Sequence, residues 1–170
     1  MSQRQVGGRR RQITDEPIEV QAEDSVLITV PIEAAFKFVS DPETMVDAIT
    51  PLEAHWDAQG ELALGSVHRC ERKIAGRVLH IETRVAILEP PTRLVMEMQG
   101  DWSGEQSFTL SEEAGDARLN LVLKYLVPNS WPSYYREEPT RTRFAETLVA
   151  QTLANIQAAL EEGHAIRDRG

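Results

Sequence analysis

Apolar and polar residues alternate along most of the chain between residues 18 and 127, and the alternation breaks only where turn-forming residues gather. In the run 18–30 (IEVQAEDSVLITV), Val26, Ile28 and Val30 fall on one face, which predicts a strand ended by Pro31. The period then changes. The stretch PIEAAFKFVSDPETMVDAIT holds two short helical pieces. Pro31 suits the opening of the first, Ser40 and Asp41 before Pro42 supply a cap for the second, and Pro51 stops it. Alternation returns in six runs: 52–58, 65–74, 77–89, 93–99, 104–112 and 117–127. Turn signals separate them at Gln59-Gly60, Ala75-Gly76, Pro90-Pro91, Gly100-Asp101 and Ala114-Gly115-Asp116, the spacing of an antiparallel meander. Residues 140–162 switch to a helical period, with Gly163 as the expected stop.

The turn at Ala75-Gly76 fixes a register. If these two residues make a hairpin turn, residue 74 opposes 77, and the pairs Glu71–His80, Arg69–Glu82 and Val67–Arg84 share one face. Cys70–Ile81, His68–Thr83 and Ser66–Val85 share the other, with Leu79 and Ile87 extending it. Charged neighbours that complement each other belong on a solvated face, and a slip of one residue would bury them. The inward wall then continues through Leu94, Met96 and Met98, Gln106, Phe108 and Leu110, and Leu119, Leu121, Leu123 and Tyr125. Aliphatic and Met-rich with isolated polar groups, it has the character of a small-molecule pocket and equally of an ordinary core.

The long helix is amphipathic: Phe144, Leu148, Val149, Ile156 and Leu160 lie within one half of its wheel. Small residues (Ala145, Thr152 and Ala159) sit at the centre of that face and Asn155 at its edge, leaving room for close approach or for a ligand. Between the last strand and this helix lies YLVPNSWPSYYREEP, which holds all three tyrosines (Tyr125, Tyr134 and Tyr135), Trp131 and three prolines. Prolines at that density forbid a regular element. The segment reads as a lid over a cavity mouth, or as a staple that holds the loop to the helix or to a second copy.

Composition narrows the function classes. The 170 residues suit one domain, divided here into a basic, flexible tail over 1–17 and a folded domain over 18–170. The first twelve residues carry four arginines and no acid, which leaves 14 basic and 27 acidic residues in the remainder, a net charge of −13. A body so acidic argues against nucleic acid as a partner. The lone Cys70 rules out an intrachain disulfide framework and fits a cytoplasmic location. No membrane span is expected, since no window approaches 18 apolar residues.

Three patches are similar to a known superfamily. VPIEAAFKFVSDPETM, GSVHRCERKIAGRVLHIETRVAILEPPTRLVMEMQG and RLNLVLKYLVP with the closing helix resemble the START-like (SRPBCC) superfamily, in particular its polyketide cyclase/dehydrase-like group, over roughly residues 22–162. The resemblance implies an α+β helix-grip fold. In it a curved seven-stranded antiparallel sheet wraps around a long C-terminal helix, two short helices follow strand 1, and a deep apolar cavity lies between sheet and helix. It further implies binding of a small hydrophobic molecule, lipid- or polyketide-like. Two alternatives stay open. One is an enzyme of the cyclase/dehydrase kind. The other is an assembly or interaction protein, related to the family members that assist carbon monoxide dehydrogenase assembly.

The residues expected to line the cavity are His68, Cys70, Ile81, Thr83, Met96, Met98, Gln106, Phe108, Leu121, Leu123, Tyr125, Trp131, Tyr134, Leu148, Thr152 and Asn155. In an enzyme, His68, Tyr125 and Asn155 would take the polar roles, His68 as acid–base because its ordinary pKa lies near neutrality. Against this, no carboxylate on that face orients His68, and a histidine bonded to a neighbouring hydroxyl is the plainer reading. Cys70 lies roughly 7 Å along the strand, too far to act as a nucleophile paired with His68. The cluster of Glu71, His80 and Glu82 reads as a solvated face. No metal is expected, because His55, His68, His80 and His164 lack ligand spacing. No cofactor is expected either: Val6-Gly7-Gly8-Arg9 has no strand before it, and Ser66, Ser103 and Ser107 sit in no nucleophile elbow. A homodimer is left open.

Overall fold

Each apolar alternation becomes a strand with one buried face. In the computed structural model, which describes residues 17–48, 54–57, 62–74 and 76–168, the strands are β1 (Glu19–Ile28), β2 (Ala54–Asp57), β3 (Val67–Ile74), β4 (Arg77–Glu89), β5 (Arg93–Gly100), β6 (Gly104–Glu113) and β7 (Asp116–Leu126). All pairings are antiparallel, in the order β1-β7-β6-β5-β4-β3-β2. Six strands are long; β2 is a four-residue edge, and residues 52, 53 and 58 of the run expected for it lie outside the described residues. The expected tail lies outside the described residues apart from Pro17.

Two short helices, α1 (Ile32–Val39) and α2 (Pro42–Ala48), carry the chain from the β1 edge to the β2 edge. Pro31 is the N-cap of α1, and its carbonyl accepts from Ala34 and Ala35. The Asp41 carboxylate accepts the Glu43 N–H at 3.0 Å, satisfying one of the free donors at the start of α2. The helix α3 (Thr140–Asp168) packs along β1 and against α1 and α2. Gln157 Nε2 donates to the Leu27 carbonyl (3.1 Å) and Glu161 Oε1 accepts the Thr29 N–H (3.3 Å), which fix the helix to that edge.

The predicted β3–β4 register is observed. Ile74 opposes Arg77, Cys70 opposes Ile81 and His68 opposes Thr83. The outer face carries Arg69–Glu82 (3.5 Å) and His80–Glu71 (3.4 Å), all exposed, and such pairs contribute little. The inner faces of β4 to β7 form the core with Phe108, Leu94 and Leu119, none of them exposed, and α3 closes it with Ala145, Val149, Leu153 and Ile156.

Three expectations need correction. A bulge between Val85 and Ile87 shifts the phase of β4, so Leu88 packs on the core in place of Ile87. On α3 the buried stripe is centred nearer Thr152 and Ile156, so Leu153 points inward and Ala159 is exposed. Gly163 does not end α3, which runs on to Asp168. A glycine within a helix costs about 1 kcal/mol, and the residues after it, which include no proline, allow the helix to continue.

Candidate functional site

The inner wall of β3 carries His68, Cys70 and Arg72 at successive inward positions, all buried. Arg72 is not among the expected cavity residues, although it shares their parity. It pairs with Leu79, itself an inward residue. Its guanidinium lies over the Trp102 ring at 4.9 Å, a cation–π contact. Its Nε is enclosed with no acceptor, and Arg72 has no carboxylate partner among the described residues. Burial pushes its pKa down to about 10, with the nearby Cys70 pulling weakly the other way. The side chain therefore stays charged at neutral pH, and its burial without a counter-ion is unfavourable. Cys70, in turn, has its pKa raised by burial, against the pull of Arg72, and is a buried thiol.

Trp102 reaches this place because of the turn that carries it, Gly100-Asp101-Trp102-Ser103-Gly104. Gly100 has φ +106, and a Cβ on it would stand 2.6 Å from the His80 carbonyl oxygen. A Cβ on Gly104 would meet the Lys124 oxygen at 2.1 Å. Only glycines let the turn lie this close to β4 and β7. Asp101 N–H donates to the His80 carbonyl (3.0 Å), the Asp101 carboxylate accepts the His80 N–H (2.9 Å), and Leu126 N–H donates to the Ser103 carbonyl (2.9 Å). Pinned on both sides, the turn drives the Trp102 indole inward with no exposure.

The aromatic segment closes over that indole. Trp102 lies 5.0 Å from Tyr125 and 5.9 Å from Trp131, ring centre to ring centre. Trp131, 4% exposed, also meets Tyr135 (5.9 Å) and Phe144 (5.4 Å) near the start of α3. The rings are thus a plug stapled to the helix, with Tyr125 pointing in from the strand end as expected. Tyr134 departs from expectation. It is 52% exposed, lies against Tyr135 at 4.2 Å and does not line the interior. The Nε1 atoms of Trp102 and Trp131 are both buried without an acceptor. Burial raises the pKa of Tyr125, against a weaker pull from Arg141, so it is a neutral phenol. A groove of ≈ 330 Å³ on the surface here is lined by Pro17, by Gly100, Asp101 and Ser103 of this turn, and by Leu126 to Ser130.

At the other end of β3, His68 is held by Ser66, whose Oγ lies 3.2 Å from His68 Nε2. The Ser66 hydroxyl donates to the Ala63 carbonyl at 2.7 Å and accepts the Ala63 N–H at 3.1 Å. Its one proton is thereby spent, so Nε2 carries the imidazole hydrogen and Nδ1 keeps a lone pair. Burial lowers the His68 pKa from 6.5. The unfolded chain then takes up the proton first, so His68 contributes stability above about pH 6.5 that is lost as pH falls through its depressed folded-state value. His68→Gln should flatten the acid side of the stability profile. Urea midpoints between pH 7.5 and 5 would measure this, and parallel profiles for the two proteins would refute it.

Of the remaining expected residues, Ile81, Thr83, Met96, Met98, Gln106, Phe108, Leu121, Leu123, Leu148 and Thr152 are all buried on the wall or on the facing helix. Thr152 donates to the Leu148 carbonyl at 2.8 Å, so its hydroxyl is already used. Asn155 departs from its expected role in the cavity. Its amide donates to the Ala48 carbonyl (3.0 Å) and accepts from Gln151 (3.2 Å), tying α3 to α2. Among the described residues, no group of three or more His, Cys, Asp or Glu is placed to hold a metal ion. No helix there is long and apolar enough to cross a membrane.

Comparison with known proteins agrees with this geometry. A conserved protein from Geobacillus kaustophilus superposes with a TM-score of 0.69 at 12% identity, covering 84% of this chain and 96% of that one. The Zhui aromatase/cyclase from Streptomyces sp. R1128 gives 0.66 at 14% identity, covering 85% and 94%. The Aha1 dimer from Colwellia psychrerythraea gives 0.59 at 17% identity, covering 84% and 96%. At these identities the likeness is one of fold, the helix grip. No curated protein matches the chain by sequence. The family described as polyketide cyclase / dehydrase and lipid transport matches residues 19–161, and the chain belongs to that family.

Proposed function

We propose that this domain binds a small hydrophobic molecule, lipid- or polyketide-like, between the inner wall of the sheet and α3. The observation that carries this reading is a set of uncommitted polar groups on an otherwise aliphatic wall. Thr83 and Gln106 are buried residues whose side chains make no hydrogen bond among the described residues although their polar atoms are not sealed in, and His68 keeps Nδ1 free. Buried polar groups are normally satisfied. A few convergent ones on apolar walls are what a ligand site needs for orientation. Native mass spectrometry of the purified full chain tests the reading. A co-purifying apolar molecule, or uptake of one from a lipid and polyketide panel, is expected. A protein that stays empty against the whole panel would overturn it.

Catalysis of the cyclase/dehydrase kind is the second reading, favoured by the fixed tautomer of His68. In an enzyme, His68→Gln and Tyr125→Phe should abolish turnover while ligand affinity stays within about tenfold. An assembly role through the aromatic segment has less support, because Trp131 is spent inside the fold and Tyr134 alone offers a large exposed ring there.

A further inference from the structure

Among the described residues, only three enclosed side-chain nitrogen or oxygen atoms have no hydrogen-bond partner: Arg72 Nε, Trp102 Nε1 and Trp131 Nε1. They belong to side chains in contact. The Arg72 guanidinium lies 4.9 Å from the Trp102 ring, and that ring lies 5.9 Å from Trp131. All three are donors. A buried cation and two indole N–H groups, gathered with no acceptor, define what is missing: a group rich in lone pairs.

Charge narrows it further. Arg72 has no carboxylate partner among the described residues, and its altered pKa traces to burial and to Cys70, not to any acid. The uncompensated charge is a single one, so a monoanion balances it and a dianion would leave a buried negative charge. A carboxylate also matches the guanidinium fork in shape. Leu79, opposite Arg72 on β4, and Ile81, the next inward residue of that strand, are aliphatic and buried. We infer that the ligand is a hydrophobic carboxylic acid, bound as its carboxylate by Arg72 with Trp102 and Trp131 as supporting donors. The inference rests on the interior being a ligand site, and it names the end of that site where the acid sits.

The test compares dodecanoate with methyl dodecanoate on the full chain, by calorimetry or by quenching of tryptophan fluorescence. Dodecanoate should bind at least about tenfold more tightly than the ester, as expected for a charge-assisted pair. Arg72→Met should erase that preference, so that acid and ester bind with affinities within about twofold of each other. Trp102→Phe keeps a ring and removes one donor, so it should reduce the preference without abolishing it, which holds the test open if Arg72→Met misfolds. Equal binding of acid and ester by the native chain would overturn the carboxylate site and leave the hydrophobic site standing. Failure of both to bind would likewise overturn the carboxylate site, while the hydrophobic site stands or falls by the wider lipid and polyketide panel.

Discussion

Gly104→Ala should cost the protein about 3 kcal/mol or more, among the larger effects a single substitution produces. The added methyl would stand 2.1 Å from the Lys124 carbonyl oxygen, 2.8 Å from Tyr125 Cα and 2.9 Å from Tyr125 Cβ. All three belong to the rigid neighbouring strand, so no side chain can swing away to relieve the clash. β6 must separate from β7 where Gly104 opposes Tyr125, and the Trp102 turn moves with it. Gly115→Ala is the control. Its φ is +86, but a Cβ there meets nothing within 4 Å, so the cost should be the backbone preference alone, about 1 kcal/mol. Thermal melts of the two variants measure the contrast. Equal losses would show that close approach at Gly104 is not what holds the turn.

Arg72→Met should have the opposite sign. A buried charge without a counter-ion is unfavourable, as its lowered pKa records, and the contact with Trp102 returns only about 1 to 2 kcal/mol. Methionine fills similar volume with no charge to desolvate, so a net gain of about 1 to 2 kcal/mol is expected. For a chain of this size that raises Tm by about 3 to 6 °C. Such a gain would mean that the Arg72 charge does not serve the stability of the fold, in line with the site inferred for it. A lower Tm in Arg72→Met would make Arg72 a structural residue and remove that reason to see a site.

Arg72 and Trp102 differ in how visible their places are in the sequence. Arg72 is within reach of the pattern. Once Ala75-Gly76 fixes the hairpin, residues 68, 70 and 72 share a face, and 72 opposes the inward Leu79. Charge alone makes it resemble the outward Arg69, and burial of an unpaired guanidinium is too costly to expect from alternation. Trp102 gives a fainter signal, a bulky ring between two glycines in a five-residue turn. Its inward direction depends on how closely β4 and β7 admit the turn, which no local pattern contains.

Alternation together with the turn signals determined the meander, the β3–β4 register and the separation of a charged outer face from an aliphatic inner one, because a period of two leaves each strand only one way to bury its apolar side and a two-residue turn then sets which residues oppose each other. The helical periods likewise placed α1, α2 and α3. Contacts between distant residues decided the rest. The bulge after Val85 moved Leu88 inward, the docking of α3 on β1 turned Leu153 in and Ala159 out, and Asn155 was drawn to Ala48. The three unpartnered donors of Arg72, Trp102 and Trp131 come from three separate segments of the chain. Whether a polar atom finds a partner is fixed only when distant segments pack together, so that cluster belongs to the tertiary structure alone.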